Sequence, residues 1–108
     1  MRDRATFAAL ARARRFRAGP LWLRSISCGA SVATDPAVAY AITRAAGNAV
    51  DRNRIRRRLR AAVARHEREL DSDMAYLFGG DRRLLHAPFA SIDRAIGDAL
   101  RASREMNE

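Results

Sequence analysis

The hydrophobic positions at the start of the chain repeat at helical spacing. Phe7, Leu10 and Ala11 stand at i, i+3 and i+4, so they would share one face of a helix. This pattern predicts a short helix from Thr6 to Arg15. Gly19-Pro20 follows, and such a dipeptide is typical of a turn.

Three later segments have the length and composition of β-strands. Leu21 to Ile26, Ala37 to Thr43 and Met74 to Phe78 are short, rich in apolar residues and bounded by turn-forming residues. We predict a strand in each of them. Cys28 to Val32 allows a further short strand between the first two.

Two longer helices are predicted in the second half of the chain. After Gly47-Asn48, apolar residues recur at helical spacing, which predicts a helix from about Ala49 to Leu70 that Asp71-Ser72-Asp73 ends. Pro88 is typical of the first turn of a helix, and it opens the last one. The predicted core-facing residues of these helices are Ile55, Leu59, Ala62, Val63, His66 and Leu70, followed by Phe89, Ile92, Ile96 and Leu100.

The order of the elements predicts the fold class. A chain of 108 residues cannot fill two cores, so we expect one domain over residues 1–108. Helices that alternate with a few strands predict an α/β (α+β) two-layer sandwich, in which a small, mostly antiparallel sheet packs with three helices. No apolar stretch approaches the roughly 20 residues of a membrane-spanning helix.

Charge is unevenly distributed along the chain. The sequence has 21 basic and 12 acidic residues, and every basic residue is arginine. Residues 1–24 and 44–60 each hold seven Arg and a single Asp, whereas residues 61–108 hold seven Arg and nine acids. Because a general arginine bias would not segregate the charge in this way, the pattern predicts a surface for a polyanion such as nucleic acid.

The highest density of arginine occurs in the sequence GNAVDRNRIRRRLR. On a helical wheel, the arginines of this segment lie on both sides of the apolar stripe. Arg52, Arg56 and Arg60 form a row of like charges at i, i+4, as do Arg54 and Arg58, and no acid at matching spacing offsets their repulsion. A solvated helix face is the simpler alternative, but an external anion explains this row better, since guanidinium groups bind phosphate and stack on unpaired bases.

The run RNRIRRRLR, preceded by GNAV, resembles the signature of the protein component of bacterial ribonuclease P. The resemblance extends over most of the chain, including the first helix with Phe7, the strand with Trp22, the strand after Asp73 and the last helix. It implies the fold of that family, a small α–β sandwich with a left-handed βαβ crossover, opposite to the usual hand.

The resemblance also implies a function. The family is the protein cofactor of a ribozyme that removes the 5′ leader of precursor tRNA, with catalysis by the RNA subunit and its bound Mg²⁺. The protein would be a monomer in a 1:1 complex with that RNA, away from membranes, and would hold the single-stranded leader between its sheet and first helix. Phe7 and Trp22 are the candidates for this leader cleft. The residues implied to face RNA are Arg44, Asn48, Arg52, Asn53, Arg54, Arg56, Arg57 and Arg60.

The chain departs from the family pattern at several cleft positions. Thr43-Arg44-Ala45 stands where the family usually has two lysines, and Phe78-Gly79-Gly80 stands where a strand usually ends in arginine. Two aromatic positions of the cleft are Ala11 and Ser25 here. The basic N-terminus could offset these losses through Arg12, Arg14, Arg15 and Arg17.

The sequence offers no nuclease site of its own. Its two His and one Cys lack the spacing of zinc ligands, and Asp71-Ser72-Asp73 fits a helix-ending turn better than a metal site. No Ser/His/Asp set or Gly-rich phosphate loop is evident. We therefore expect no catalytic residue and no metal or cofactor held by the protein itself. Cys28 cannot form an internal disulfide, so we expect a cytoplasmic protein.

Two other functions compete with this interpretation. One is a structural RNA-binding protein, as in a ribosome, and the other is a DNA-binding module that uses the arginine helix in a major groove. The predicted strands contain Trp22 and Tyr40, whose aromatic rings could stack on unpaired bases. This feature favours binding of single-stranded RNA and argues against a module that reads duplex DNA.

Overall fold

The computed structural model describes residues 4–27 and 37–107, of which residues 4–7 and 107 are described by their backbone alone. The proposed strand at Cys28 to Val32 lies outside the described residues. The helices are α1 (Arg4–Arg12), α2 (Ala49–Ala64) and α3 (Phe89–Asn107), and the strands are β1 (Phe16–Ala18), β2 (Leu21–Ser27), β3 (Ala37–Ala41) and β4 (Met74–Gly80).

The four strands form one sheet in the order β1-β2-β4-β3. β1 pairs with β2 and β2 with β4 in antiparallel fashion, whereas β3 runs parallel to β4. α2 is therefore the crossover of a βαβ unit that joins β3 to β4. The predicted fold class, a small and mostly antiparallel sheet with three helices, is confirmed, while the hand of this crossover stays a prediction.

Strand alternation divides the sheet into two faces. Leu21 and Leu23 of β2 and Tyr76 and Phe78 of β4 are buried in the main core with side chains of α2 and α3. On the other face a smaller cluster forms around Leu10 of α1, with Ala75 and Leu77 of β4. α1 therefore covers part of the face that α2 and α3 leave free.

The start and the buried face of α2 follow from its sequence. Asn48 is the N-cap: the Asp51 backbone N–H donates to Asn48 Oδ1 at 2.8 Å, and the Asn48 N–H donates to Asp51 Oδ2 at 3.3 Å. This reciprocal pair satisfies two backbone donors that the first helical turn leaves free. The predicted stripe is confirmed at Ile55, Leu59, Ala62 and Val63, which are the buried residues of α2. It is wrong at its end, because His66 and Leu70 lie beyond the helix and are only half-buried.

α2 is shorter than predicted. The helix ends at Ala64, not near Leu70, and the backbone of His66 leaves helical geometry with φ −113° and ψ 21°. The His66 ring lies between two acids, with Nδ1 2.6 Å from Glu69 Oε2 and Nε2 2.9 Å from Asp93 Oδ1 of α3. These contacts fasten the end of α2 to α3, and a short 3₁₀ turn continues towards β4.

The first strand was missed from the sequence. α1 ends at Arg12, not at Arg15, and Phe16–Ala18 forms β1, which makes a hairpin with β2. Gly19 supplies the turn with φ +59°, a conformation that glycine adopts without steric cost. A three-residue strand is too short to show alternation, and pairing with β2 stabilises it.

The ends of two other strands also differ from the prediction. β4 continues through Gly79-Gly80, because these residues pair with Trp22 and Leu21 of β2. β3 ends at Ala41, because Thr43 already precedes a 3₁₀ turn, Arg44–Ala46, that leads to α2. None of the helices in the described ranges is long and apolar enough to cross a membrane.

Arg58 fastens α2 to the segment that leads into α3. Its Nη1 donates to the Leu84 carbonyl and its Nη2 to the Ala87 carbonyl, each at 2.5 Å. Hydrogen bonds from a charged group are stronger than neutral ones, and here both acceptors belong to one turn of the backbone. This arginine of the signature run thus has a structural role.

We predict that Arg58→Ala lowers the free energy of unfolding by about 1–3 kcal/mol, because two backbone carbonyls lose a charged donor. Arg57→Ala is the matched control, since Arg57 is the exposed neighbouring arginine of the same helix, and it should change stability by less than about 0.5 kcal/mol. Urea unfolding monitored by circular dichroism measures both. Equal effects in the two variants would contradict the structural role of Arg58.

Candidate nucleic-acid interface

The signature arginines lie on the solvent side of α2, as the wheel predicts. Arg54, Arg57 and Arg60 are exposed, while Arg52 and Arg56 are half-buried at the flanks of the apolar stripe. Their charge is offset within α2 only by Asp51 of the capping box, near the start of the helix. The surface therefore presents several guanidinium groups to one partner.

Two of these arginines are oriented by neighbours on the same helix. Arg56 Nη1 donates to Asn53 Oδ1 at 2.8 Å, and Arg52 Nε donates to the Asn48 carbonyl at 3.4 Å. Both partners are uncharged, so each guanidinium keeps its full positive charge and has further donors for an anion. Asn48 and Asn53, which the resemblance places at the RNA, thus also act as supports.

Arg60 lies beside the edge strand of the sheet. Its guanidinium carbon is 5.6 Å from the centroid of the Tyr40 ring, within the range of a cation–π contact. Burial raises the pKa of Tyr40 above its ordinary value, and the positive charge of Arg60 acts in the opposite direction. This contact joins the basic surface of α2 to the sheet.

A second cluster surrounds Trp22 on the face of the sheet that carries α1. The guanidinium carbons of Arg15 and Arg24 lie 4.8 Å and 5.4 Å from its ring centroid. Arg24 Nη1 also donates to the Ala11 carbonyl, which links this cluster to the end of α1. Trp22 is half-buried, so part of its side chain is exposed to solvent.

Gly79 makes the position of this indole possible. A Cβ atom at Gly79 would lie 2.2 Å from Trp22 Cζ2 and 2.7 Å from the Ala41 carbonyl oxygen. The ring therefore lies across β4 at a point where any larger residue would displace it. The position of the Trp22 ring therefore depends on glycine at position 79.

Trp22 forms part of the wall of a basic groove of about 450 Å³. The groove lies between the β1–β2 hairpin, the 3₁₀ turn before α2 and the segment after β4. Its charged residues are four arginines and one acid, namely Arg15, Arg17, Asp81, Arg82 and Arg83.

The acid of the groove is held by its neighbour. Arg83 donates to both carboxylate oxygens of Asp81, and this hydrogen bonding lowers the pKa of Asp81 below its ordinary value. Arg83 is therefore paired with Asp81, whereas Arg15 and Arg17 line the groove without a carboxylate partner among the described hydrogen bonds and ion pairs. The groove has a net positive charge.

Arg82 was not identified from the sequence as a functional residue. Its Nη1 lies 3.4 Å from the Ala46 carbonyl oxygen and 3.4 Å from Asp51 Oδ2. It thus places a second guanidinium beside the 3₁₀ turn that carries Arg44. Arg82 and Ala46 are 36 positions apart in the sequence, so no local pattern predicts this contact.

The structure brings some of the sequence candidates together and leaves others apart. Arg44 is exposed on the turn whose neighbours Thr43 and Ala45 line the groove, so the groove and the start of α2 are adjacent. Phe7 belongs to α1, but its side chain lies outside the described residues, and so does Cys28. His86 is exposed after a 3₁₀ turn.

Asp71, in the turn predicted from Asp71-Ser72-Asp73, contributes a backbone contact to the fold. The Asp71 backbone N–H donates to the Tyr76 hydroxyl at 2.9 Å in the turn before β4. Within residues 4–27 and 37–107, no group of three or more His, Cys, Asp or Glu side chains is arranged to hold a metal ion.

Sequence comparison identifies relatives of this chain. The family model described as Ribonuclease P matches residues 1–103. The ribonuclease P protein component of Brucella melitensis biotype 1 is 33% identical over 97 residues, which cover 82% of this chain and 69% of that protein. The corresponding protein of Bartonella quintana is 39% identical over 95 residues, covering 82% of this chain and 71% of that one.

Solved structures share the fold at much lower identity. The RNase P protein of Thermotoga maritima superposes with a TM-score of 0.78 at 14% identity, over 94% of each chain. The RNase P protein of Staphylococcus aureus gives a TM-score of 0.73 at 15% identity, over 95% of this chain and 93% of that chain. The family match and the sequence relatives, with this common fold, show that the chain belongs to the family of ribonuclease P protein components.

Proposed function

We propose that this member of the ribonuclease P protein family binds the RNA subunit of the ribonucleoprotein through α2. We also propose that the groove beside Trp22 binds the 5′ leader of precursor tRNA. The family supports a role in a tRNA-processing enzyme that contains RNA. The division of contacts between the two surfaces is our inference from their different chemistry.

The observation that carries the proposal is the position of Trp22 in the wall of a groove with four arginines, next to the start of α2. An aromatic ring stacks an unpaired base regardless of its identity, while guanidinium groups contact the phosphates on either side. A single-stranded leader of varied sequence needs this combination. The signature surface of α2 has a higher density of arginine and suits the phosphates of a structured RNA.

We assign the chemistry of cleavage to the RNA subunit and its Mg²⁺. The described residues gather arginine on α2 and in the groove beside Trp22, which supports a role for this chain in binding and positioning RNA. Its cations would lower the electrostatic cost of bringing two RNA molecules together. Their contribution should therefore be greatest where Mg²⁺ is scarce.

Reconstitution tests this proposal. Adding the protein to the ribonuclease P RNA and a precursor tRNA should restore 5′ cleavage at a low Mg²⁺ concentration at which the RNA alone is nearly inactive, as judged by gel analysis of the products. Rigorously RNA-free protein should cleave nothing. RNA binding without stimulation would instead favour a structural RNA-binding protein, and cleavage by the protein alone would contradict catalysis by RNA.

The signature arginines should each contribute to affinity for the RNA subunit. We predict that Arg54→Ala and Arg56→Ala each weaken binding about tenfold or more, because a charged hydrogen bond to RNA is lost. Each lost phosphate contact should also reduce the slope of log affinity against log salt by about 0.7–0.9. Filter binding at several salt concentrations measures both quantities.

Arg94→Ala is the control for these variants, since Arg94 is an exposed arginine of α3 outside the signature. It should leave both the affinity and the slope close to those of the unmodified protein. Thermal stability should stay level or rise slightly in both signature variants, because Arg54 and Arg56 each belong to a row of like charges at i, i+4. Unchanged RNA affinity in both signature variants, or a loss explained by unfolding, would contradict the assignment.

Trp22 should report leader binding directly, because it is the single tryptophan of the chain. We predict that a precursor tRNA quenches its fluorescence more than the mature tRNA does. Trp22→Ala should weaken binding of the precursor by about 1–3 kcal/mol relative to mature tRNA, the usual contribution of one stacked base. Gly79→Ala should reduce the same preference, because its Cβ displaces the ring. Equal losses for both tRNAs in folded variants would show that Trp22 serves only the core.

A further inference from the structure

A second concave surface lies beside the exposed face of α2, apart from the groove at Trp22. It is a shallow groove of about 300 Å³ lined by Arg54, Arg57, Arg58, Ala61 and Phe89. The first four residues belong to α2, and Phe89 is the first residue of α3.

The surface of this groove is almost entirely carbon, although three of its five residues are arginines. Arg58 explains part of this, because its guanidinium donates to the Leu84 and Ala87 carbonyls and its aliphatic stem remains as a wall. The Ala61 methyl group and the Phe89 ring add further apolar area. The groove thus has apolar walls and a cationic rim.

The prediction that Phe89 faces the core is wrong, because its side chain is 38% exposed, which is unusual among the large apolar residues of the described chain. The core of α3 is formed by other residues, such as Ile92 and Ile96, which are buried. The ring of Phe89 therefore packs only partly against the rest of the protein. Its remaining surface faces a groove instead of projecting from a convex surface.

The charges of the groove indicate the chemistry of its occupant. Its lining includes three arginines and no acidic residue, and Arg54 and Arg57 are both exposed. An apolar segment of a protein would gain nothing from these cations, and a basic one would be repelled. A nucleotide matches both features, since its base is flat and apolar on its faces and its phosphate is an anion.

We propose that this groove holds one unstacked nucleobase of the RNA subunit, with the base on Phe89 and its flanking phosphates at Arg54 and Arg57. This inference rests on the proposed function, because it assumes that α2 binds that RNA. Phosphates of a regular duplex would need only the guanidinium groups. An aromatic ring between them selects a nucleotide from a loop or bulge, whose face is free to stack.

Three substitutions of Phe89 test this inference, with the transcribed ribonuclease P RNA as the probe. Phe89→Ala should weaken binding roughly 5- to 150-fold, the range expected for one lost stacking contact. Phe89→Leu, which keeps an apolar side chain without a π face, should also weaken binding. Phe89→Tyr should bind like the unmodified protein. The slope of log affinity against log salt should not change in any of them, because no phosphate contact is removed.

Met106→Ala is the matched control, since Met106 is an exposed apolar residue of the same helix as Phe89, at 55%, and does not line the groove. It should bind RNA normally. Circular dichroism melts establish that each variant is folded, and Phe89→Leu keeps the test decisive if Phe89→Ala is unstable.

The outcomes separate this inference from the proposed function. If the unmodified protein does not bind the RNA subunit, both are wrong. If it binds and Phe89→Ala or Phe89→Leu binds equally well, only the base-binding groove is wrong. An oligomer of the protein alone that Phe89→Ala dissociates would likewise overturn it, in favour of contact between copies of this chain.

Discussion

The basic surface of this protein depends on how α2 is held against the sheet. Ile55 and Leu59 are fully buried, and burial of each such side chain contributes about 1.5–3 kcal/mol. The like charges at i, i+4 on the same helix cost only a few tenths of a kcal/mol per pair. Burial therefore determines the rotation of α2, and the arginines face outward as a consequence. A shift of the stripe by one residue would turn the helix by about 100° and redistribute every charge.

Helical periodicity explains why the sequence predicted α2 and α3 well. The stripe from Ile55 to Val63 and the residues Ile92, Ile96 and Leu100 recur at spacings that only a helix places on one face. Such patterns are local, so a single sequence contains them. The same reasoning failed for β1, since Phe16–Ala18 becomes a strand through its pairing with β2. It also failed at the end of α2, where Asp93 of a distant helix holds His66.

The nucleic-acid interface, like the fold, was predicted from the sequence only in part. The exposed arginines of α2 follow from the wheel, and Trp22 was identified through the family resemblance. Arg82 and Arg83 were missed because their place in the groove depends on the register of β4 with β2, which brings Gly80 opposite Leu21. The departure at Gly79 also makes sense only in three dimensions. In the sequence, Gly79 is seen only as the absence of a side chain. In the sheet, that absence leaves the space that the Trp22 indole occupies.

The arginines of the signature run do not have one common role. Arg58 bonds to two backbone carbonyls, Arg60 lies over Tyr40, and Arg56 is oriented by Asn53. Arg54 and Arg57 form the rim of an apolar groove. Since guanidinium groups combine charge, planarity and five donors, a run of arginine can provide a structural fastening, a stacked cation and a phosphate contact within three turns of helix. The density of arginine in the run therefore reflects both the folding of α2 and the binding of an anion.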